Sequence, residues 1–481
     1  AYTEFDLEKI TEDGLYNEFA VLYRLLHSSR MPQSRDKAEE SIIEYYHQES
    51  IDSGSRIREK LREAVHDAII ILANGFLKNS QNYEFIELVR RNEINPETMY
   101  KLLLRCIYRI IFLATIEERN LVYPKLNYKD PEYEKLQRLK NIYLNYYSIE
   151  KYRNLVSSPG YINPSKNDLW QGLLATFRLF EPGGEGVKLG IQPLGGELFG
   201  LNAMKDENID LYSLKLTNEN FTEFFIKLSA FRDERGVLTR INYRDLDVEE
   251  LGSVYEALLE LQPYFSTEGP YPFFGFTEGS ERKLTGSYYT RHDLVAQLIK
   301  TALLPVMEER LGRASTREEK EKALLNITVC DPAAGSGHFL IAAAKVMGFE
   351  LARIRSGEEN PGEEWVLQAT RDVIENCIYG VDKNPAAVEL CRLSLWLVGH
   401  NRGKPLTFLK HKIKCGDSLI GVDDLSRLTK GIPKGAFNTS MEYESETALI
   451  YKKLNQEFLK TKVYTTQAQE ETLSNDEKIL A

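Results

Sequence analysis

Apolar residues recur at helical spacing through most of the first 150 positions. Leu15 to Leu26 shows the pattern, and Arg56 to Leu77 repeats it through Ile57, Leu61, Ala64, Val65, Ala68, Ile69, Ile71 and Leu72. Glu97 to Leu121 adds Tyr100, Leu103, Leu104, Ile107, Ile110, Ile111, Leu113 and Ile116, with Pro96 placed to start the helix. Such faces pack on one another, so a helical bundle is expected over residues 1–155. The polar stretch Glu39 to Arg58 predicts a partly looped connection, and Arg56, Arg58 and Lys60 a solvated face. Residues 156–280 read as a mixed connecting region. Helices are expected over Asp168 to Leu179, with Trp170 on the apolar side, over Leu216 to Ala230, and over Asp247 to Leu261. Gly183-Gly184 and Gly195-Gly196 mark turns. No Lys-Ser/Thr and no strand–helix frame comes after them, so they do not read as a phosphate cradle.

Strand-and-helix units begin at about residue 281. The apolar run Ile327 to Cys330 ends in Asp331, passes Pro332-Ala333-Ala334-Gly335-Ser336-Gly337, and opens a helix-forming run, Phe339 to Ile354. A second apolar run, Cys377 to Val381, ends in Asp382. Lys383-Asn384-Pro385 and a helix over Ala386 to Val398 come next. The interval between these units exceeds that of a minimal one, and the polar stretch Ser356 to Glu364 accounts for part of it as a loop or helix end. A third segment runs Ile413-Lys414-Cys415-Gly416-Asp417-Ser418-Leu419. This order predicts an α/β, Rossmann-like doubly wound sheet that binds a ligand at the carboxyl ends of its strands. Glycines at 335 and 337 let the backbone approach a ligand closely, and Asp331 faces the same crevice, where it can hold an ammonium group. Leu340 stands where the third glycine of a dinucleotide fingerprint belongs, so no pyrophosphate is implied.

Composition narrows this picture. A chain of 481 residues calls for two or three domains, and 42% hydrophobic with 28% charged residues suits a soluble globular protein. No apolar run reaches the roughly 18 residues of a membrane span, and the N-terminal residues lack the pattern of a signal peptide. The five cysteines, at 106, 330, 377, 391 and 415, form no Cys-x-x-Cys pair; three of them sit in apolar runs. That suits reduced thiols in a cytoplasmic protein and argues against zinc. His338 and His400 have no second ligand at metal spacing, so neither is read as a metal ligand or general base. The net charge of −11 bears on partners. Surfaces that grip DNA broadly are usually basic, so a DNA-gripping part is expected to be local or to lie outside these residues.

Asp331 to Leu340 resembles motif I of the amino-methylating DNA methyltransferases, Asp-Pro-Ala-Cys-Gly-Ser-Gly-x-Phe-Leu, with Ala334 at the cysteine position. The resemblance implies S-adenosylmethionine as cofactor, held through Asp331, Pro332, Ala333, Gly335, Ser336, Gly337 and Phe339. The helix N-terminus would receive its methionine carboxylate. Gly286-Ser287-Tyr288-Tyr289-Thr290, before a helix expected over Leu294 to Leu304, resembles motif X and implies Tyr289 and Thr290 at the methionine end; Arg291 replaces the usual proline. Taken alone it is an N-cap with surface tyrosines. Asp382, with Lys383, resembles motif II, whose acid binds the ribose hydroxyls; a capping aspartate is the plainer alternative. Asp417 and Ser418 resemble motif III, whose aspartate accepts from the adenine amino group. By itself Gly-Asp-Ser is a turn. Leu251 to Glu260 resembles a segment that precedes the catalytic domain in large defence-type methyltransferases.

The family's target-base motif, Asn/Asp/Ser-Pro-Pro-aromatic, holds the flipped base. None of the 17 prolines adjoins another, so it is absent here. Strands completing the sheet are not evident after Gly421 either. The expectation is therefore the N-terminal portion of a longer enzyme: the cofactor-binding part in 281–425, and a polar tail or insertion start in 426–481. The resemblance points to large adenine-N6 DNA methyltransferases of bacterial restriction-modification or phage-defence systems (type IIG, BREX or DISARM-like). Double-stranded DNA is the expected partner, with other defence-system subunits a second class and no membrane. No nuclease arrangement is found in the N-terminal segment. The rivals are a non-catalytic subunit that binds cofactor or DNA, and an RNA or protein methyltransferase.

Overall fold

Helix α3 (Ile42–Lys78) runs unbroken through the stretch expected to be looped. Ser41 caps it, accepting from the Glu44 amide at 3.1 Å. Its buried half, Leu61 to Leu77, supplies a packed nucleus. Propagating an existing helix adds one hydrogen bond per residue fixed, so the polar turns around Gly54 continue it although glycine costs about 1 kcal/mol there. The computed structural model describes residues 7–12, 16–32, 34, 41–124, 130–195, 198–232, 238–244, 252, 261–278, 290, 292–399, 409–420, 449 and 452–457. Before α3 come α1 (Leu7–Glu12) and α2 (Tyr16–Leu26). After it come α4 (Tyr83–Arg90) and α5 (Pro96–Glu118). Asn95 caps α5 by accepting from the Glu97 amide at 2.8 Å, and Pro96 stands in its first turn. Helix α5 is apolar on nearly every side and is buried accordingly.

Helices α6 (Tyr133–Tyr146), α7 (Ile149–Val156), α8 (Asp168–Phe180) and α9 (Asn218–Ser229) complete this layer. Trp170 of α8 is fully buried and donates to the Leu214 carbonyl at 3.0 Å. Three short antiparallel pairs accompany the helices: β1 (Lys205–Asp206) with β2 (Ile209–Asp210), β3 (Ala230–Arg232) with β4 (Leu238–Arg240), and β5 (Leu261–Ser266) with β6 (Phe273–Glu278). The last hairpin is fixed to α3 by Asn74, whose amide donates to the Phe274 carbonyl at 2.9 Å and accepts from its N–H at 3.0 Å. The helix expected over Asp247 to Leu261 lies outside the described residues, apart from helical Gly252 and Leu261, the first residue of β5.

The helix expected over Leu294 to Leu304 is part of a longer one. Helix α10 (His292–Leu298) passes through a π turn, Ile299–Leu303, into α11 (Leu304–Gly312). Pro305 has no N–H to give the Thr301 carbonyl, and the wider turn absorbs that loss. Helix α12 (Arg317–Leu325) begins in a Thr316–Glu319 capping box. Then come β7 (Val329–Asp331), α13 (His338–Ser356), α14 (Glu363–Cys377), β8 (Ile378–Asp382), α15 (Pro385–Gly399), α16 (Leu409–Lys412) and β9 (Ile413–Cys415). The three strands form a parallel sheet in the order β7-β8-β9. The long interval between β7 and β8 is thus mainly a second helix, α14, packed on α13. Among the described residues β7 pairs on one side only, and Cys330 on it is exposed. One hydrophobic cluster extends from Leu61 of α3 to Ile413 of β9. Residues 1–416 make one unit and residues 417–481 another.

Candidate cofactor site at the carboxyl ends of the sheet

Strand register sets the site. Asp331, the last residue of β7, pairs with Gly380, while β8 continues two positions further to Asp382. A Cβ at Gly380 would stand 2.8 Å from Leu340 Cδ1 and 3.1 Å from Ala334 Cβ, so this glycine lets the turn after β7 lie against β8. The Ala334 N–H donates to the Val381 carbonyl at 2.9 Å, and the Gly335 N–H donates to Asp382 Oδ2 at 2.8 Å. The other oxygen of Asp382 accepts from the Asn384 N–H at 2.8 Å. Asp382 thus staples the turn after β7 to the turn after β8. Each of its oxygens keeps a further lone pair for a ligand.

The turn itself needs glycine. Gly335 has φ of 52° and Gly337 of 94°, a left-handed region that other residues enter at a cost. Gly337 precedes α13, and a Cβ there would stand 2.7 Å from Cys391 Sγ on α15. Asp331 is half-buried and accepts from the Ala333 N–H at 3.0 Å. Burial raises its carboxyl above the usual range, and the nearby Asp382 adds to this against the pull of the Ala333 amide. The Cys391 thiol is likewise raised, first by burial and then by Asp331 and Asp382. Two acids therefore act on one place, a setting that favours a ligand carrying positive charge.

The other expected residues are distributed around this turn and beyond it. Pro332 and Ala333 are exposed in the turn, Ser336 and Gly337 are buried, and Phe339 is half-buried in the first turn of α13. Lys383 is exposed beside Asp382. Tyr289 lies outside the described residues, and Thr290 is half-buried, two positions before α10. Asp417 and Ser418 belong to the second unit. There Asp417 Oδ1 accepts from the Leu419 and Ile420 amides, each at 3.0 Å, in the turn its sequence suggests. Among the described residues no group of three or more His, Cys, Asp and Glu side chains could hold a metal.

Three contributors were missed in the sequence. Gly380 interrupts an apolar strand, a recognised sign of close backbone approach. Asn384 acts through its backbone, which no residue type reveals. Gly252 reaches the turn from far upstream: its Cβ position lies 3.0 Å from Ser336 Cβ. Elsewhere, a cleft of about 600 Å³ at the far end of α13 is lined by Arg317, Lys320 and Arg353 together with Glu350, Glu358 and Glu359. Its mixed charge specifies no ligand.

Comparison with known proteins gives two family matches on this part of the chain. Residues 307–419 match the DNA-methyltransferase domain of MmeI, and residues 376–478 match the Eco57I restriction-modification methylase. A Methanocaldococcus jannaschii protein described as "Putative type II restriction enzyme and methyltransferase" is 28% identical over 220 residues, 37% of this chain and 17% of that protein. A solved structure of the type IIL restriction-modification enzyme MmeI in complex with DNA overlays with a TM-score of 0.37 and 16% identity. The overlay covers 67% of this chain and 41% of that one. The matched stretches are thus well under two thirds of either relative's length.

Proposed function

We propose a function for this chain from one premise: residues 307–478 belong to the DNA-methyltransferase domains of type II restriction-modification enzymes, of the MmeI and Eco57I kind. The chain is the S-adenosylmethionine-binding part of an enzyme that methylates adenine N6 in DNA within a restriction-modification or phage-defence system. The observation that carries this reading is the Asp382 carboxylate, tied to the Gly335 and Asn384 amides beside Asp331. That arrangement offers acceptors to ribose hydroxyls next to a carboxyl that would hold the ammonium end of the same ligand.

When bound, S-adenosylmethionine would supply an electrophilic methyl group on its sulfonium sulfur. The protein's own part is binding and orientation. Asp382 would hold the ribose, Asp331 the ammonium group, and the N-terminus of α13 the methionine carboxylate. In the family this sequence resembles, flipping and stacking the target base falls to an adjacent pair of prolines with an aromatic residue. No two prolines adjoin in this chain, so that work is assigned outside these 481 residues. DNA is the proposed partner, contacted mainly by parts other than this acidic chain.

Calorimetric titration with S-adenosylmethionine tests the reading. Asp382→Ala should remove detectable binding and, because Asp382 ties the two turns together, also lower the melting temperature. Unchanged affinity in the variant would show that the pocket has been placed wrongly. The second reading, a non-catalytic subunit that binds cofactor or DNA, is favoured by the same missing proline pair. Labelled methyl transfer by the intact gene product, to DNA and not to tRNA or protein, separates the two.

A further inference from the structure

The turn between β7 and α13 is approached closely from two sides: a methyl group would clash on one and be crowded on the other. Behind Gly337 lies Cys391 Sγ, 2.7 Å from where a Cβ would stand. Against Ser336 lies Gly252, whose Cβ would come within 3.0 Å of Ser336 Cβ, 3.0 Å of Ser336 Oγ and 3.5 Å of His338 Cε1. Ser336 and His338 are only 2% and 7% exposed. Ser336 Oγ and His338 Nδ1 stand 2.9 Å apart, within hydrogen-bonding distance. A neighbour crowded at 3.0 Å can give way only where there is space behind it. Ser336 is almost wholly buried, and packed interiors transmit such strain.

We propose that Gly252 and His338 are positioning residues for the cofactor turn. Gly252 admits the upstream segment's backbone onto Ser336, and His338 fixes the direction of the Ser336 hydroxyl. Together with Cys391 they hold the turn in the conformation that keeps the Gly335 N–H on Asp382. The cofactor site thereby includes a residue far upstream of the strand-and-helix units. The proposal rests on the reading of this turn as an S-adenosylmethionine site.

The full chain and four variants provide the test, with two readouts: amide hydrogen exchange of the 333–341 stretch without ligand, and S-adenosylmethionine affinity. Gly252→Ala should speed exchange there and weaken affinity at least ten-fold. Ser336→Gly, which removes the hydroxyl that His338 directs, should by itself weaken affinity. His338→Asn carries an amide that reaches the place of Nδ1 and should stay near the parent, whereas His338→Phe should weaken binding. The histidine pair decides the matter if Gly252→Ala does not fold. Unchanged exchange and affinity in Gly252→Ala, or equal behaviour of His338→Asn and His338→Phe, would overturn the proposal. If the parent itself binds no S-adenosylmethionine, the cofactor reading falls and with it the role for the cofactor. The exchange data still decide whether the turn is gripped.

Discussion

At the end of α5, Glu117 accepts from the Tyr143 hydroxyl at 2.5 Å, the Ile149 amide at 2.8 Å and the Glu150 amide at 3.0 Å. Burial pushes its carboxyl up to about 7 from an ordinary 4.5, and the three donors only partly oppose this. The folded protein therefore holds this proton more tightly than the unfolded chain does. The resulting stability is complete below about 4.5 and is lost as pH rises through about 7. The shift corresponds to something on the order of 3 kcal/mol. Urea unfolding between pH 5 and pH 8 should show stability falling as pH rises. Glu117→Gln should flatten that slope, since an amide does not titrate in this range. Equal slopes in the two proteins would assign the pH dependence to other groups. Asp331, raised in the same direction, stands at the carboxyl end of β7 and not in the helical layer. Its neighbour is Asp382, whereas Glu117 serves the helices around it.

Elements built from local signals were legible. Strand β7, its glycine turn and α13 succeed one another in sequence, each with its own signature, and they fold as expected. Helix α14 has no counterpart among the elements predicted from the sequence. Its apolar positions Ala369, Val373, Ile374 and Cys377 keep helical spacing, but the last adjoins the run Ile378 to Val381, so two patterns merge. Helix α3 was cut short because Ser53, Gly54 and Ser55 look like a break, while cooperative propagation from a buried half overrides them. Contacts between distant segments left no local trace. Asn74 meets the backbone of Phe274 across 200 positions, and either residue alone is unremarked in the sequence. Removing that amide leaves a buried N–H and a buried C=O without their partner. Asn74→Ala should therefore cost about 2–4 kcal/mol and speed exchange of the Phe274 amide. A loss below about 0.5 kcal/mol would mean that the hairpin is held by its aromatic contacts, Tyr100 and His66 on Phe276, and not by the amide.

Within residues 1–416 the helical layer and the sheet unit share one core, which bears on how the candidate site is supported. Helix α15 lies next to β8 and β9 and also meets α5: Phe112 and Trp396 have ring centroids 5.0 Å apart, and the Arg105 Nε donates to Glu389 at 3.4 Å. The same helix carries Cys391, which backs Gly337 in the turn after β7. Covering α15 with α5 thus supports the turn indirectly. A sheet unit freed from the helical layer would expose Trp396 and lose the packing that holds α15 in place. Residues 290–416 expressed alone should accordingly bind a hydrophobic dye and melt without a cooperative transition, whereas residues 1–416 should unfold in a single one. A fragment 290–416 that melts cooperatively, near the temperature of the longer chain, would show that the sheet unit stands by itself and that the helical layer serves some other purpose.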